Sequence, residues 1–597
     1  MAAFEDPADD ESVSRIAAQW LTDLSGAIEL SAPERIAALF RADGSWRDIL
    51  ALTGDIRSFS GASGLADAAT LCVQTVIPGS ITVRHDWPPA AVRRAGHTVI
   101  EVLFEFKTAI GTGDGVVRLI PESGSARAWT FMLSLRSLEQ VPEQVGAGRP
   151  HDTDFAGHFG TPNWLDRRLE QQRYARHEPT VLIVGAGQAG LSLAARLGAL
   201  GVDALVVERS TRVGDNWRHR YHSLTLHNEI DANHLPYMPF PDTWPSYIPK
   251  DKMAAWLEVY ADAMEINTWT GTTFSGAKYD SALNRWAATV VDGKGFGRKL
   301  HPEHIVVATG VSGAPVIPEI PGMEGFRGPV LHSSEFTDAG LYAGQRAVVF
   351  GVSNSGSDIA QDLYAAGCDV TMVQRGSITV VSQDPGSLVQ YWLYQQGYPL
   401  EVCDLINIAN PYPAAYEAHR WITATVRELD RDLIGGLTSI GFKTDYGDDE
   451  TGFGLKYLRT GGGHYLNVGC SELLIGKRIR LIQYTDMNRV GSHGLHMRDG
   501  ELIEASLIVL ATGYQSLSAR LSDYFGDELA ARVGSVWGLD GEGELRNMWR
   551  PTPQPGLWFL AGGLQHCRIF SRFLALQIAA ANHGIKLQPL RNERDRG

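Results

Sequence analysis

Thr180-Val181-Leu182-Ile183-Val184-Gly185-Ala186-Gly187-Gln188-Ala189-Gly190 decides the fold of most of this 597-residue chain. The first five residues are apolar or β-branched, the composition of a parallel strand buried on both faces. They run directly into glycines spaced G-x-G-x-x-G and then into the helix-forming Leu191-Ser192-Leu193-Ala194-Ala195-Arg196-Leu197. Gly185 makes the tight turn, Gly187 lets a diphosphate approach the backbone, and Gly190 lets the helix pack closely on the strand. The free N–H groups at the helix start, around Gln188, then face the diphosphate. A second strand, Ala204-Leu205-Val206-Val207, ends in Glu208, a carboxylate placed to accept hydrogen bonds from ribose hydroxyls.

The same grammar occurs again. Ala347-Val348-Val349-Phe350 leads into Gly351-Val352-Ser353-Asn354-Ser355-Gly356 and a helical run from Ser357 to Leu363. Ser353 replaces the middle glycine, which removes some room at the diphosphate but adds a hydroxyl beside Asn354 and Ser355. The next strand, Val370 to Gln374, ends in Arg375 where an NAD site would carry an acid. A planar guanidinium there pairs with a 2′-phosphate, so the second module is expected to take NADPH. Each glycine turn is followed later by an Ala-Thr-Gly, at 308–310 and again at Ala511-Thr512-Gly513, read as close backbone approaches near a hinge. The repetition predicts an α/β fold with two Rossmann-type dinucleotide-binding domains, one inserted in the other.

Ahead of them, helical patterns around Ile16, Trp20, Leu21 and Leu24 precede strand-like runs at 97–106, 115–120 and 128–135, the order of a small α+β unit. The expected boundaries are 1–140 for this front domain and 141–178 for a linker. The first dinucleotide domain then takes 179–335 and 501–597, around an insert at 336–500.

Composition narrows the function. Apolar residues are 44% and charged residues 20%, ordinary for a soluble globular chain, and no apolar run is long enough to span a membrane. An acidic N-terminus unlike a signal peptide predicts a cytoplasmic protein. The net charge of −15 argues against a nucleic-acid partner. The five cysteines are scattered without a C-x-x-C, so neither a dithiol redox centre nor a zinc site is expected. The acidic run Tyr446 to Glu450 lacks calcium-loop spacing and reads as a solvated turn, so no metal is expected.

Phe326-Arg327-Gly328-Pro329-Val330-Leu331-His332-Ser333-Ser334-Glu335-Phe336 matches F-x-G-x-x-x-H-x-x-x-[FY] between the two glycine turns. With Gly214-Asp215-Asn216-Trp217, Leu224-Thr225-Leu226-His227 and the stretch from Leu235 to Lys250, it resembles the class B flavin monooxygenases, on the YUCCA-like and bacterial branch. The resemblance implies FAD on the first module and NADPH on the second. It also implies a C4a-(hydro)peroxyflavin that puts one oxygen of O2 into a small organic substrate. Asn216, Trp217, Lys250 and Gly562 become flavin-site candidates, and His227, with Asn228 beside it, the candidate at the reactive face. His332, Thr512 and Gly513 are expected at the junction of the modules.

Phe336-Thr337 departs from the Trp that Baeyer–Villiger members carry and points to heteroatom or YUCCA-like oxygenation. Baeyer–Villiger oxidation of a ketone and a non-oxygenating NADPH-dependent flavin reductase remain the alternatives. The front block resembles the NTF2-like (SnoaL-type) cone. That implies a structural or oligomerising module, leaving a homodimer open, or an acid–base site of Asp48, His85 and Asp86. The substrate pocket is expected from loops within 380–465 and from the front domain.

Overall fold

The computed structural model describes residues 10–122, 125–149 and 159–587. In the front domain, helix Asp10–Glu29 buries Val13, Ala17, Trp20, Leu21, Leu24 and Ile28, a stripe at helical spacing. It packs with Pro33–Ala38 and Gly61–Thr75 on one face of a seven-stranded sheet. The long strands His97–Thr108, Gly111–Glu122 and Ser125–Leu138 form an antiparallel meander, and Phe40–Ile49 runs parallel to the last of them. The space between helices and sheet is filled by rings, with Trp46 and Phe131 centred 4.5 Å apart and Phe40 stacked on Trp46 at 5.5 Å.

That filling removes the expected acid–base site. Asp48 is fully buried and accepts hydrogen bonds from the backbone N–H of Ala51, Leu52 and Thr53 and from the Thr53 hydroxyl. Burial pushes its carboxyl up to about 6. His85 and Asp86 are exposed, and Asp86 pairs with Arg84. Asp48 is thus a turn former, and the three residues do not share a site.

The opposite face of the sheet presents Ile49, Leu103, Val116, Met132 and Leu135, because side chains alternate across a strand. These join the same apolar core as Leu182 and Leu574 of the first dinucleotide module. Charged pairs rim the contact. Arg47 grips Glu544 at 2.8 and 2.6 Å, and Arg550 grips Asp55 at 2.8 Å through two nitrogens. The front domain is therefore docked on the body by a sheet face, with arginines at its margins.

Between them, Asn163 caps helix Trp164–Arg173 in a reciprocal pair with Asp166. The first module is a parallel sheet in the order Asn267–Trp269, Ala204–Val207, Val181–Val184, His304–Val307, Leu557–Phe559. The second runs Val330–His332, Leu507–Leu510, Arg346–Phe350, Asp369–Gln374, Arg480–Gln483, again all parallel. The insert is thus wider than 336–500, since strands 330–332 and 507–510 both belong to the second sheet. A three-residue strand inside the signature has too few residues to show a period, and the strand at 507 reads like any returning strand. Helices between Leu388 and Thr460 follow, of which the pieces at 388–408 pack on the first module and Arg431–Ser439 packs on the second.

Removing one partner of a buried ion pair leaves an uncompensated charge. Glu544→Ala strands Arg47 at the docking face. It is expected to lower unfolding free energy by about 3 kcal/mol in denaturant titrations, while Glu528→Ala, on an exposed helix, should change little.

Candidate active site

Both glycine turns are built on one contact. Gly185 has φ +112°, and a Cβ there would lie 2.7 Å from the carbonyl oxygen of Ala308; Gly351 has φ +113° and would meet that of Ala511 at 2.3 Å. The two Ala-Thr-Gly segments are therefore the neighbours against which the turns close. Gly190 and Gly356 then bring their helices onto the turn, each with a virtual Cβ within 2.3 Å of the first glycine's carbonyl oxygen.

Around the first turn the structure gathers most of the residues expected there. Helix Gln188–Ala199 starts at Gly187, and Glu208 accepts hydrogen bonds from Ala186 N–H at 2.9 Å and Ser210 N–H at 2.8 Å. A side chain at Gly187 would meet only the Asn216 amide, at 3.4 Å, so the space in front of the turn is open. Trp217 Nε1 is buried without a hydrogen-bond partner, and Gln188 Nε2 reaches the Gly562 carbonyl at 3.4 Å. An open cradle, a carboxylate at its ribose end and an unpartnered indole donor fit the adenosine diphosphate of FAD. Lys250 stands apart. Its ammonium donates to the Arg218 carbonyl at 3.1 Å and pairs with Asp251, so it fixes the segment bearing Trp217 and does not face the cradle.

At the second turn, Ser353 holds the position equivalent to Gly187, with nearly the same backbone angles and no capping bond from its hydroxyl. Ser355 is half-buried behind it, and Arg375 is exposed at the end of strand Asp369–Gln374. This set fits a dinucleotide carrying a 2′-phosphate. Asn354 is directed elsewhere: its side-chain oxygen accepts Leu466 N–H at 2.8 Å and its amide nitrogen lies 3.5 Å from His464 Nε2.

His332 of the signature is fully enclosed. Ser334 N–H donates to its Nδ1 at 3.1 Å, so Nε2 carries the proton and donates to the Gly513 carbonyl at 3.1 Å. Burial lowers its pKa, and the neutral ring ties the signature to the second Ala-Thr-Gly, where Thr512 donates to the Val316 carbonyl. His227 lies at the same junction. Its Nε2 is 3.1 Å from Asp358 Oδ2, which also accepts the Tyr221 hydroxyl at 2.6 Å. Asp358 belongs to helix Asn354–Ala365, so His227 bridges the two modules. The nearest signal in the sequence was Asp358 itself, an acid on a helix whose neighbours are apolar. Neighbouring Asn228 is half-buried and engages the Tyr391 hydroxyl.

Three further features escaped sequence reasoning. Arg568, in the first turns of helix Leu564–Asn582, pairs with Asp404 at 2.7 and 2.9 Å and donates to the carbonyls of Ala232 and His234. Trp549 stacks on Phe570 at 4.0 Å and on His566 at 5.7 Å, with Tyr457 facing His566 at 6.3 Å. His419, His464 and His566 are each pushed down to about 4, chiefly by burial. Trp549 donates to the Ala561 carbonyl and Tyr457 engages the Gly563 backbone, so the ring cluster stands beside Gly562 and Gly563, whereas His419 packs against Gly454. Three cations near these rings are paired, Arg459 with Asp449, Lys456 with Asp445 and Arg568 with Asp404. Pairing to Arg459 also explains the acidic run, since it holds Asp449 down at about 2. Among the described residues no group could hold a metal ion, and the five cysteines are buried and unpaired.

Residues 182–397 match the family model described as pyridine nucleotide-disulphide oxidoreductase. The indole-3-pyruvate monooxygenase YUCCA1 of Oryza sativa subsp. japonica is 33% identical over 358 residues, covering 59% of this chain and 80% of the relative. The chain belongs to the class B flavin monooxygenases. A probable indole-3-pyruvate monooxygenase, YUCCA3 of Arabidopsis thaliana, is 29% identical over 61% of this chain and 80% of its own length. Among solved structures, the open form of a cyclohexanone monooxygenase is 16% identical with a TM-score of 0.49, covering 68% of this chain and 88% of that one. A flavin monooxygenase from Stenotrophomonas maltophilia covers 67% and 98%, with 18% identity and a TM-score of 0.45. This monooxygenase uses FAD and NADPH and acts on a small organic molecule and O2. No helix among its described residues is long and apolar enough to cross a membrane.

The three depressed histidines make stability depend on pH. Below about 6.5 the unfolded chain binds protons that the folded imidazoles refuse until about 4, so stability falls as pH drops through that window, by at most about 1.4 kcal/mol per pH unit for each ring. Denaturant titrations from pH 7 to pH 5 should show this loss, and His464→Asn should flatten the slope by up to one ring's share.

Proposed function

We propose that the enzyme oxygenates an uncharged, flat organic molecule held against the aromatic wall of Tyr391, Tyr457, Trp549, His566 and Phe570. The observation that carries this is the charge state of the wall: the His566 imidazole is pushed down to about 4 by burial, and Arg459 and Arg568 near it are paired with aspartates. A substrate carboxylate would meet Arg459, Lys456 and Arg568 already held by aspartates, and burying one uncompensated is costly. Aromatic rings, by contrast, gain from offset and edge contacts with such walls. Phe336-Thr337 agrees, since it sets the chain apart from ketone-oxidising members and leaves heteroatom oxygenation as the favoured chemistry. The rice relative's named substrate, indole-3-pyruvate, has a suitable ring but an acid group besides.

Bound FAD would accept hydride from NADPH and supply activated oxygen. The residues do the rest. Gly185, Gly187, Gly190 and Glu208 hold the FAD diphosphate and ribose, with Asn216 and Trp217 over the open side. Ser353 and Arg375 hold the NADPH diphosphate and 2′-phosphate. His227, anchored by Asp358, keeps the helix of the second turn in register with the flavin module and holds its own proton toward that carboxylate. The rings of the wall exclude water from the reacting centre. The face of the front domain free of helices is covered within the chain, so the domain is read as an intramolecular, NTF2-like module and not as a dimer surface. Five unpaired thiols suit a reducing cytoplasm.

The decisive experiment is turnover under labelled O2 with an aryl sulfide, an aryl ketone and indole-3-pyruvate. One labelled oxygen in the sulfoxide, at higher kcat/KM than for the acid, is expected; efficient labelling confined to the acid would overturn the uncharged-substrate reading. Independently, Arg375→Ala should weaken NADPH binding ten- to a hundredfold, about 1.4–2.7 kcal/mol, while leaving NADH binding unchanged in equilibrium titrations.

A further inference from the structure

Helix Leu400–Ile408 is short, and two of its last four carbonyls, with that of Ala409 beyond, accept hydrogen bonds from another domain. Arg118 donates to the carbonyls of Ile406 at 3.0 Å and Ala409 at 2.9 Å and to the Asn410 side chain at 2.6 Å. Arg47 donates to the carbonyl of Ile408 at 2.8 Å. The carbonyl of Asn407 accepts the Asn410 amide. Both arginines come from the sheet of the front domain, and both have carboxylates behind them: Glu101 for Arg118 and Glu544 for Arg47. Arg118 and Glu101 have side chains 1% and 3% exposed, so the guanidinium is fixed in orientation. Two cations at one helix C-terminus complement its dipole as well as its unpaired carbonyls.

The inner side of the same helix faces the flavin module. Asp404 lies one turn before Ile408, takes both forks of Arg568, and accepts the Tyr394 hydroxyl at 2.9 Å. Arg568 follows the Gly562–Gly563 corner by a turn and a half of helix and also holds the loop after Asn228. Further contacts bind the neighbouring segments to the front domain: Trp87 edge-on to Tyr398 at 4.8 Å, Arg94 over Trp392 at 5.7 Å, and Val99 with Trp129 around Ala414. The roof of the proposed substrate chamber is thus held from outside by one set of buried charges and joined to the flavin corner by another.

We propose that Arg118 and Arg47 are positioning residues for oxygenation, and that the front domain is a clamp fixing helix Leu400–Ile408 so that Asp404 and Arg568 keep the flavin site closed to water. The inference deepens the proposed function and rests on it for its consequence, though not for its mechanical part. A loosened roof should let O2 leave as H2O2: the two electrons of NADPH then reduce O2 to peroxide with two protons, instead of leaving one oxygen in product and one in water.

The test is the Arg118→Leu variant, in which Glu101 keeps its pair with Arg94 and no carboxylate is stranded. Hydrogen exchange is measured on residues 405–410, together with FAD content, NADPH affinity, anaerobic flavin reduction rate and the share of NADPH recovered as H2O2. We expect about tenfold faster exchange at 405–410 and several-fold more H2O2, with FAD content, NADPH affinity and reduction rate within twofold of the parent. Asp55→Asn, which loosens the docking pair to Arg550 away from this helix, is the control and should leave exchange at 405–410 unchanged. Asn410→Ala, which removes one half-buried acceptor of Arg118, should produce the same changes at about threefold and serves if Arg118→Leu does not fold. Unchanged exchange in a folded, FAD-loaded variant would overturn the clamp, as would an equal response in Asp55→Asn. Faster exchange without extra H2O2 would overturn its role in oxygenation while leaving the clamp standing.

Discussion

The contact of Gly185 with the carbonyl of Ala308, and its copy at Gly351 and Ala511, constrains everything else in the body of this enzyme. A strand that turns against its neighbour's carbonyl must start its helix at once, which leaves the helix N-terminus open at the sheet's carboxyl edge. That edge is where a diphosphate finds unpaired N–H groups and a favourable dipole. The neighbouring strand must in turn end in a small residue, which is why each turn has an Ala-Thr-Gly partner far along the chain. Since the second of these segments also receives His332 through Gly513, the geometry of one glycine turn is transmitted to the signature that links the modules.

Charge is arranged on a different principle. The chain carries an excess of acids, yet four of its arginines lie at internal seams. Arg47, Arg118, Arg550 and Arg568 each join segments distant in sequence, and each is held by a carboxylate. Such buried pairs add little net stability because desolvation offsets attraction, but they tolerate few alternative arrangements. Their effect here is to fix where the roof helix, the front domain and the final helix meet. Of these pairs, Arg568 with Asp404 also stands beside the aromatic wall.

Legibility in the sequence followed the range of the interactions. The two turns, the place of Glu208 at the end of its strand and the insertion were readable because each depends on residues close together and on glycine geometry. The signature was readable because its spacing is rigid. The edges of the insert were misplaced at strands 330–332 and 507–510, which are too short to show a period. Lys250 and Asn354 looked like ligands of the cofactors but are directed at backbone and neighbouring loops, a choice made by tertiary contacts. His227 was found as a residue type in a motif, but its partner Asp358 lies more than a hundred positions away on the other module. Arg568 sits in an apolar helical run and resembles a surface residue until Asp404 is brought beside it. Asp48 shows the opposite error: a carboxylate beside aromatic residues suggested chemistry, and four local hydrogen bonds account for it.

The front domain follows from the weakness of what it covers. The roof between Leu388 and Ile408 consists of pieces of four, three and nine residues, each below the length at which an isolated helix is stable in water. Such segments bury too little apolar area among themselves to hold one position. They need one surface below and another above. The flavin module supplies the first through Arg568 and the final helix. It cannot supply the second without closing the space a substrate must occupy. A sheet filled with its own aromatic core and docked by its free face supports the roof from outside. On this argument the domain's interior needs no pocket and no acid–base pair, because its working surface is the face with which Arg47 and Arg118 reach out of the sheet.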